Sequence, residues 1–228
     1  DIEQFPEVEH SYKAEIGEEL PEASRRRLDD AWKHADQIIC ASTFTRRTLI
    51  EAGADPTICY VIPYGISPQH EPSLTPKETF HVLFVGSGVQ RKGLHHLLYA
   101  WEQASLPVGS RLTLVCRVID PGIAAIANRM DTVHLIRGVP LDELHELYRT
   151  STLFAMPSLI EGFGQVYLEA LSFGCPVLGT SNTCLPDLGG ETDGVYVVPP
   201  ADIDALAERL AQLGEQLPRH EETRHKAR

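Results

Sequence analysis

Pro157-Ser158-Leu159-Ile160-Glu161-Gly162-Phe163-Gly164-Gln165-Val166-Tyr167-Leu168-Glu169-Ala170-Leu171 decides the reading of this chain. An apolar run, Thr152 to Met156, precedes it and reads as a buried strand. The segment from Gly164 to Phe173 reads as a helix. Glu161 and Glu169 bracket the glycine-rich turn, with seven residues between them. A strand, a turn and a helix opening aim backbone N–H groups at a cleft, which suits an anion. A carboxylate one or two turns into such a helix can accept hydrogen bonds from sugar hydroxyls, as in dinucleotide sites. Together they indicate a ligand that carries both phosphate and sugar.

Outward from this stretch, strand-like and helix-like segments alternate at short spacing, the mark of a parallel α/β sheet. Six strands are expected downstream of residue 79: Phe80–Val85, Arg111–Cys116, Thr132–Ile136, Thr152–Met156, Pro176–Gly179 and Val195–Val198. Helical patterns separate them over Lys92–Ala104, Gly122–Arg129, Leu141–Arg149 and Gly164–Phe173, and Asp202–Leu213 follows the last. In Leu141–Arg149, Leu144, Leu147 and Tyr148 share one face of a 3.6-residue period. This set makes one complete doubly wound domain. Residues 1–62 hold less: helix from Pro21 to His34, strand from Asp36 to Ala41, helix from Thr43 to Ala52, and strand from Ile58 to Ile62. Two strands and two helices are too few for a core, so 1–62 read as the end of an incomplete Rossmann-like domain. Residues 63–79, with Pro63, Pro68, Pro72 and Pro76, read as a linker. Residues 80–213 form the complete domain, and 214–228 a charged tail expected to fray on its own.

Composition narrows the function. A hydrophobic fraction of 43% with 23% charged residues is an ordinary globular profile. The net charge of −12 argues against a nucleic-acid partner, which needs a positive face. It leaves room for a small phosphorylated ligand at Arg91-Lys92. No apolar run reaches the roughly 20 residues needed to cross a bilayer. The five cysteines are odd in number and include no C-x-x-C pair, so neither a disulfide framework nor a zinc site is expected. A reducing, cytoplasmic setting fits them best. His134, in an apolar strand, reads as structural. Asp202 and Asp204 read as a helix N-cap and a first-turn acid. No D-x-D lies between strands, and no metal is expected.

Five segments, in this order and spacing, resemble the retaining glycosyltransferases of the GT-B fold, in particular glycosyltransferase family four. Ile62-Pro63-Tyr64-Gly65-Ile66 is similar to the family's hinge. Val82-Leu83-Phe84-Val85-Gly86 with Arg91-Lys92-Gly93-Leu94 is similar to its first C-terminal strand and donor-phosphate loop. The Glu161 to Glu169 stretch resembles its E-x7-E motif. Phe173-Gly174-Cys175-Pro176-Val177 and Val198-Pro199-Pro200-Ala201-Asp202 resemble the segments that follow. The resemblance covers roughly residues 36 to 213.

The resemblance implies a GT-B fold in which this chain supplies the C-terminal, donor-binding half. It implies that Lys92 binds the donor diphosphate with support from Arg91. Glu161 lies near the transferred sugar, Glu169 binds ribose, and Gly162, Phe163, Gly164 and Gln165 offer backbone N–H groups. The turn at Val139, in Gly138-Val139-Pro140, holds the nucleobase through backbone contacts. Ser87 stands where relatives often carry a phosphate-binding arginine; its hydroxyl is expected to donate there, with Arg91 taking over the charge. No cofactor is implied; the substrate is a UDP- or GDP-linked sugar. The acceptor is a sugar, a glycan or a lipid-linked acceptor. A lipid-linked acceptor carries with it peripheral contact with the inner face of the membrane, through the N-terminal domain. Two alternatives stay open: a nucleotide-sugar-binding module without catalysis, and a nucleotide-sugar epimerase.

Overall fold

The computed structural model describes residue 26, residues 30–67, residue 77 and residues 79–219. Most of the helix expected over Pro21–His34, much of the 63–79 linker and the tail beyond residue 219 lie outside the described residues. The first unit holds β1 (Ile38–Cys40), α1 (Thr43–Glu51) and β2 (Cys59–Val61). The two strands pair in parallel, Ile38 opposite Cys59 and Cys40 opposite Val61. Cys40, Ala54 and Cys59 are buried between sheet and helix as a small satellite core.

The second unit contains β3 (His81–Val85), α2 (Leu94–Gln103), β4 (Arg111–Val115), α3 (Pro121–Ala127), β5 (Val133–Ile136) and α4 (Leu141–Thr150). It continues with β6 (Leu153–Ala155), α5 (Gln165–Ser172), β7 (Val177–Thr180), α6 (Leu185–Leu188), β8 (Val195–Val198) and α7 (Ile203–Gln216). All six strands are parallel, in the order β5-β4-β3-β6-β7-β8. The order reverses between β3 and β6, and ligands of such sheets bind in the crevice at the carboxyl ends of the strands flanking that point. The central strands are apolar on both faces, with Val82, Leu83, Phe84, Leu112, Leu114, Leu153 and Phe154 wholly buried. Helices cover both faces of an all-parallel sheet, so its inner strands carry continuous apolar runs.

Two helix bounds need correction. The helix expected from Lys92 begins at Leu94 instead, because Arg91 and Lys92 lie in a 3-10 turn over Gln90–Lys92 that Gly93 ends. Gly93 has φ +67°, and a Cβ there would lie 1.9 Å from the Pro157 carbonyl oxygen. The loop after β3 is thus pressed against the start of the glycine-rich stretch, where only glycine fits. His134 lies in β5 as expected, opposite Thr113 in the ladder, with its side chain exposed on this edge strand. The last helix runs on to Gln216, and Leu217 beyond it is buried against the main core. Its N-cap is Asp202, whose Oδ1 accepts from the Ala205 amide at 2.9 Å.

Candidate functional site

The loops after β3 and β6 meet at the switch point. The Leu159 amide donates to the Arg91 carbonyl at 2.9 Å and stitches one loop to the other. This brings Arg91, Lys92 and Glu161 together. Lys92 Nζ donates to Glu161 Oε2. Arg91 Nη1 donates to the same oxygen at 3.0 Å and to the Ile160 carbonyl at 3.2 Å. Lys92 and Glu161 are each about five-sixths buried, their side chains 16% exposed, whereas the Arg91 side chain is 52% exposed. Two cations on one carboxylate oxygen leave a local positive excess in a chain of net charge −12. In a partly buried cleft such charges are screened far less than on open surface.

Glu161 is held through its backbone. Its amide donates to the Asn182 carbonyl at 3.0 Å, and Asn182 Nδ2 donates to the Leu159 carbonyl at 3.0 Å. Asn182 lies just past β7, so the neighbouring strand's loop clamps the turn from both sides. The Gly162 carbonyl accepts from Ser42 Oγ at 2.6 Å and from Thr45 Oγ1 at 2.9 Å. Ser42 is also the N-cap of α1, its Oγ accepting from the Thr45 amide at 3.1 Å. Thr43 N donates to Asp187 Oδ2 at 2.7 Å, and Arg47 Nη2 to Asn182 Oδ1 at 3.3 Å. The first turns of α1 therefore form one wall of the site. Tyr64, in the segment read as a hinge, meets the Phe163 ring edge-on with centroids 5.1 Å apart.

The turn then opens into α5. Gly164 has φ +89°, and a Cβ there would fall 2.7 Å from the Tyr167 ring. Tyr167 is wholly buried, its hydroxyl donating to the Met156 carbonyl at the end of β6, and burial raises its pKa well above the ordinary phenol value. The amides of Gly162, Phe163, Gly164 and Gln165 have no protein acceptor among the described residues. They open the N-terminus of a two-turn helix beside Lys92, a suitable arrangement for an anion. Glu169 is half-buried one turn on, and its Oε2 accepts from Tyr148 Oη at 3.0 Å.

The remaining expected residues lie on the same rim without joining that cluster. Ser87 is exposed in the loop after β3, and its carbonyl accepts from the Val89 amide at 2.9 Å. Val139 follows β5 and packs against the core beside Gly138, which has φ +115°. Sequence reasoning missed Ser42, Thr45, Asn182 and the Tyr148 hydroxyl. Ser42 alone left a trace, as an N-cap type immediately before the helix at Thr43.

Among solved structures, Anabaena HepE in complex with UDP and glucose superposes with a TM-score of 0.75 at 21% identity, over 91% of this chain and 62% of that one. Sucrose-phosphate synthase from Thermosynechococcus elongatus gives 0.71 at 23% identity, over 91% and 57%. At these identities the likeness shows the fold, a GT-B half. Among curated proteins, the MMP alpha-(1->4)-mannosyltransferase of Mycolicibacterium hassiacum is 27% identical over 72% of this chain and 42% of its own length. The O-antigen chain mannosyltransferase B of Escherichia coli is 28% identical over 58% and 36%. The D-inositol 3-phosphate glycosyltransferase of Segniliparus rotundus is 31% identical over 73% and 45%. The chain thus spans less than half the length of these relatives. Residues 66–228 match the family described as glycosyl transferases group 1, and the chain belongs to that family.

Proposed function

We propose that this chain is the donor-binding half of a retaining, metal-independent glycosyltransferase that moves a hexose from a UDP- or GDP-sugar to a sugar, glycan or lipid-linked acceptor. The observation that carries the reading is the meeting of Arg91, Lys92 and Glu161 at the switch point, beside amides at the start of α5 that have no protein acceptor among the described residues. The donor diphosphate takes the place of Glu161 on the two cations. Glu161 then turns to the sugar hydroxyls, and Glu169 accepts from the ribose. The anomeric carbon–phosphate oxygen bond breaks, and negative charge grows on the leaving diphosphate. Lys92, Arg91 and the α5 amides face that charge, and preorganised donors of this kind supply much of a transferase's rate. The acceptor oxygen bonds to the anomeric carbon on the face the phosphate leaves, and its proton passes to the departing phosphate oxygen.

The relatives favour mannose: two are mannosyltransferases, and a third from Corynebacterium glutamicum, 26% identical over 87% of this chain, is described as GDP-mannose-dependent. The acceptor site and the remaining catalytic groups belong to an N-terminal domain that α1 and its sheet would complete. No described helix is long and apolar enough to cross a membrane. A cytoplasmic enzyme touching the inner membrane face through its N-terminal domain fits lipid-linked acceptors.

Transfer assays with UDP- and GDP-hexoses on a polypeptide that includes an N-terminal domain test this reading. NMR of the product is expected to show the donor's anomeric configuration, with the rate unchanged by EDTA. An inverted product, loss of rate in EDTA, or brisk transfer by this chain alone would overturn the corresponding part. Inversion at the sugar's second carbon without an acceptor would mark an epimerase instead.

A further inference from the structure

We propose that Tyr148 is a positioning residue for ribose recognition, its hydroxyl fixing Glu169 so that one carboxylate oxygen is spent inside the protein and the other is presented to the cleft. The inference rests on the reading of Glu169 as the ribose-binding carboxylate.

Glu169 lies one turn into α5, and Tyr148 lies near the end of the neighbouring α4. Both helices begin at the carboxyl ends of their preceding strands, so both N-termini face the crevice. Helical side chains lean toward the N-terminus of their own helix. Tyr148 and Glu169 therefore both lean toward the crevice, the tyrosine from beneath the carboxylate. Tyr148 is 1% exposed, and its ring is gripped by Phe154, with centroids 5.9 Å apart, and by Phe173, stacked at 5.8 Å and 6°. A ring so confined has little rotational freedom, and its hydroxyl is a fixed donor. Oε2 of Glu169 takes that donor at 3.0 Å, and the carboxylate has no other protein donor among the described residues. A glutamate on a helix surface ordinarily samples several rotamers, and freezing them before the ligand arrives removes an entropy cost from binding. Burial and the adjacent carboxylate both raise the phenol's pKa, so it is a protonated donor at neutral pH.

A buried phenol also needs a partner simply to be satisfied, and the two roles differ in one measurable respect. A packing role would weaken every nucleotide alike. A positioning role weakens only ligands that carry the ribose hydroxyls.

Binding to this chain is measured by calorimetry for UDP and GDP, each against its 2′,3′-dideoxy counterpart, with Tyr148→Phe and Glu169→Gln as variants and thermal melting as the fold control. Tyr148→Phe keeps the ring and its stacking. The expected result is a rise in the ribonucleotide Kd of about threefold to tenfold, the size of an ordinary net hydrogen bond, because the lost bond is felt only through the orientation of Glu169. The dideoxy Kd is expected not to change. Equal weakening of both ligands, or no change in Tyr148→Phe while Glu169→Gln loses ribose preference, would overturn the role of Tyr148 and leave that of Glu169 intact. A ribose preference unchanged in Glu169→Gln, or no nucleotide binding by the folded wild-type chain, would overturn the donor-site reading and this inference with it.

Discussion

Lys92 and Glu161 stand 69 residues apart in sequence and share a hydrogen bond across the point where the strand order reverses. Neither strand alone could build this contact. It requires β3 and β6 to be neighbours, and the parallel register Val82 opposite Leu153 makes them so. Arg91 reaches the same carboxylate oxygen. The site thus holds its two cations on an internal anion, and on the proposed reading an incoming diphosphate displaces that anion.

Displacement gives opposite signs to two substitutions. If Lys92 holds the diphosphate as proposed, Lys92→Ala is expected to weaken UDP or GDP binding by about tenfold or more, a charge-assisted hydrogen bond lost from a largely buried site. Glu161→Gln removes the competitor, so the nucleoside diphosphate binds as tightly as to wild type or more tightly. On the proposed function, transfer by a polypeptide that includes the N-terminal domain is expected to fall in both variants. Calorimetry on the chain, set beside the transfer rate, separates the two effects. Weaker diphosphate binding in Glu161→Gln would contradict the exchange.

Ser42→Ala removes a helix N-cap and one of two donors to the Gly162 carbonyl. Losing such a cap costs about 1 kcal/mol, and the carbonyl adds a comparable amount where Thr45 alone does not satisfy it. Urea denaturation is expected to show a loss of about 1–2 kcal/mol. The Ser42→Ala, Thr45→Val pair is expected to lose more than Ser42→Ala alone.

Gly93→Ala places a Cβ 1.9 Å from the Pro157 carbonyl oxygen on a backbone of φ +67°. Strain and overlap together are expected to cost at least about 3 kcal/mol, with nucleotide binding lost as the two loops part. Gly65→Ala is the control, since a Cβ there meets nothing within 4 Å. Its melting temperature is expected to stay within a degree or two of wild type, about the scale of a neutral surface change.

Stability depends on pH through two buried histidines. Burial, with Arg111, Lys77 and His134 adding to it, lowers the pKa of His81 to about 4, and burial lowers that of His96 to about 4. In the unfolded chain both titrate near 6.5. Between these values the unfolded state binds more protons, so stability rises with pH across that window. It is complete above about pH 6.5 and falls away toward pH 4. Each histidine accounts for at most on the order of 3 kcal/mol. Urea midpoints at pH 7 and pH 5 are expected to differ, and His81→Asn is expected to narrow the difference.

The doubly wound sheet was legible because each inner strand is an apolar run with a glycine or proline break close to one end, as in Leu153–Ala155 before Pro157. The cations and carboxylates at its crevice were legible as motif residues at fixed spacing. What escaped was the packing that holds them. Ser42 acts on Gly162 across 120 residues and Tyr148 on Glu169 across two helices, and no local pattern encodes either pairing. The start of α2 was misread at Lys92 for the same reason, since the break at Gly93 is imposed by Pro157 from another strand's loop.

The most direct test of the donor site is a calorimetric titration of this chain with UDP, GDP and ADP, repeated on Lys92→Ala and Glu169→Gln. One nucleotide is expected to bind, through contacts that both substitutions weaken, and its base names the donor class. A folded chain that binds a nucleotide with the same affinity in both variants, or binds none, would contradict a donor site at the meeting of β3 and β6.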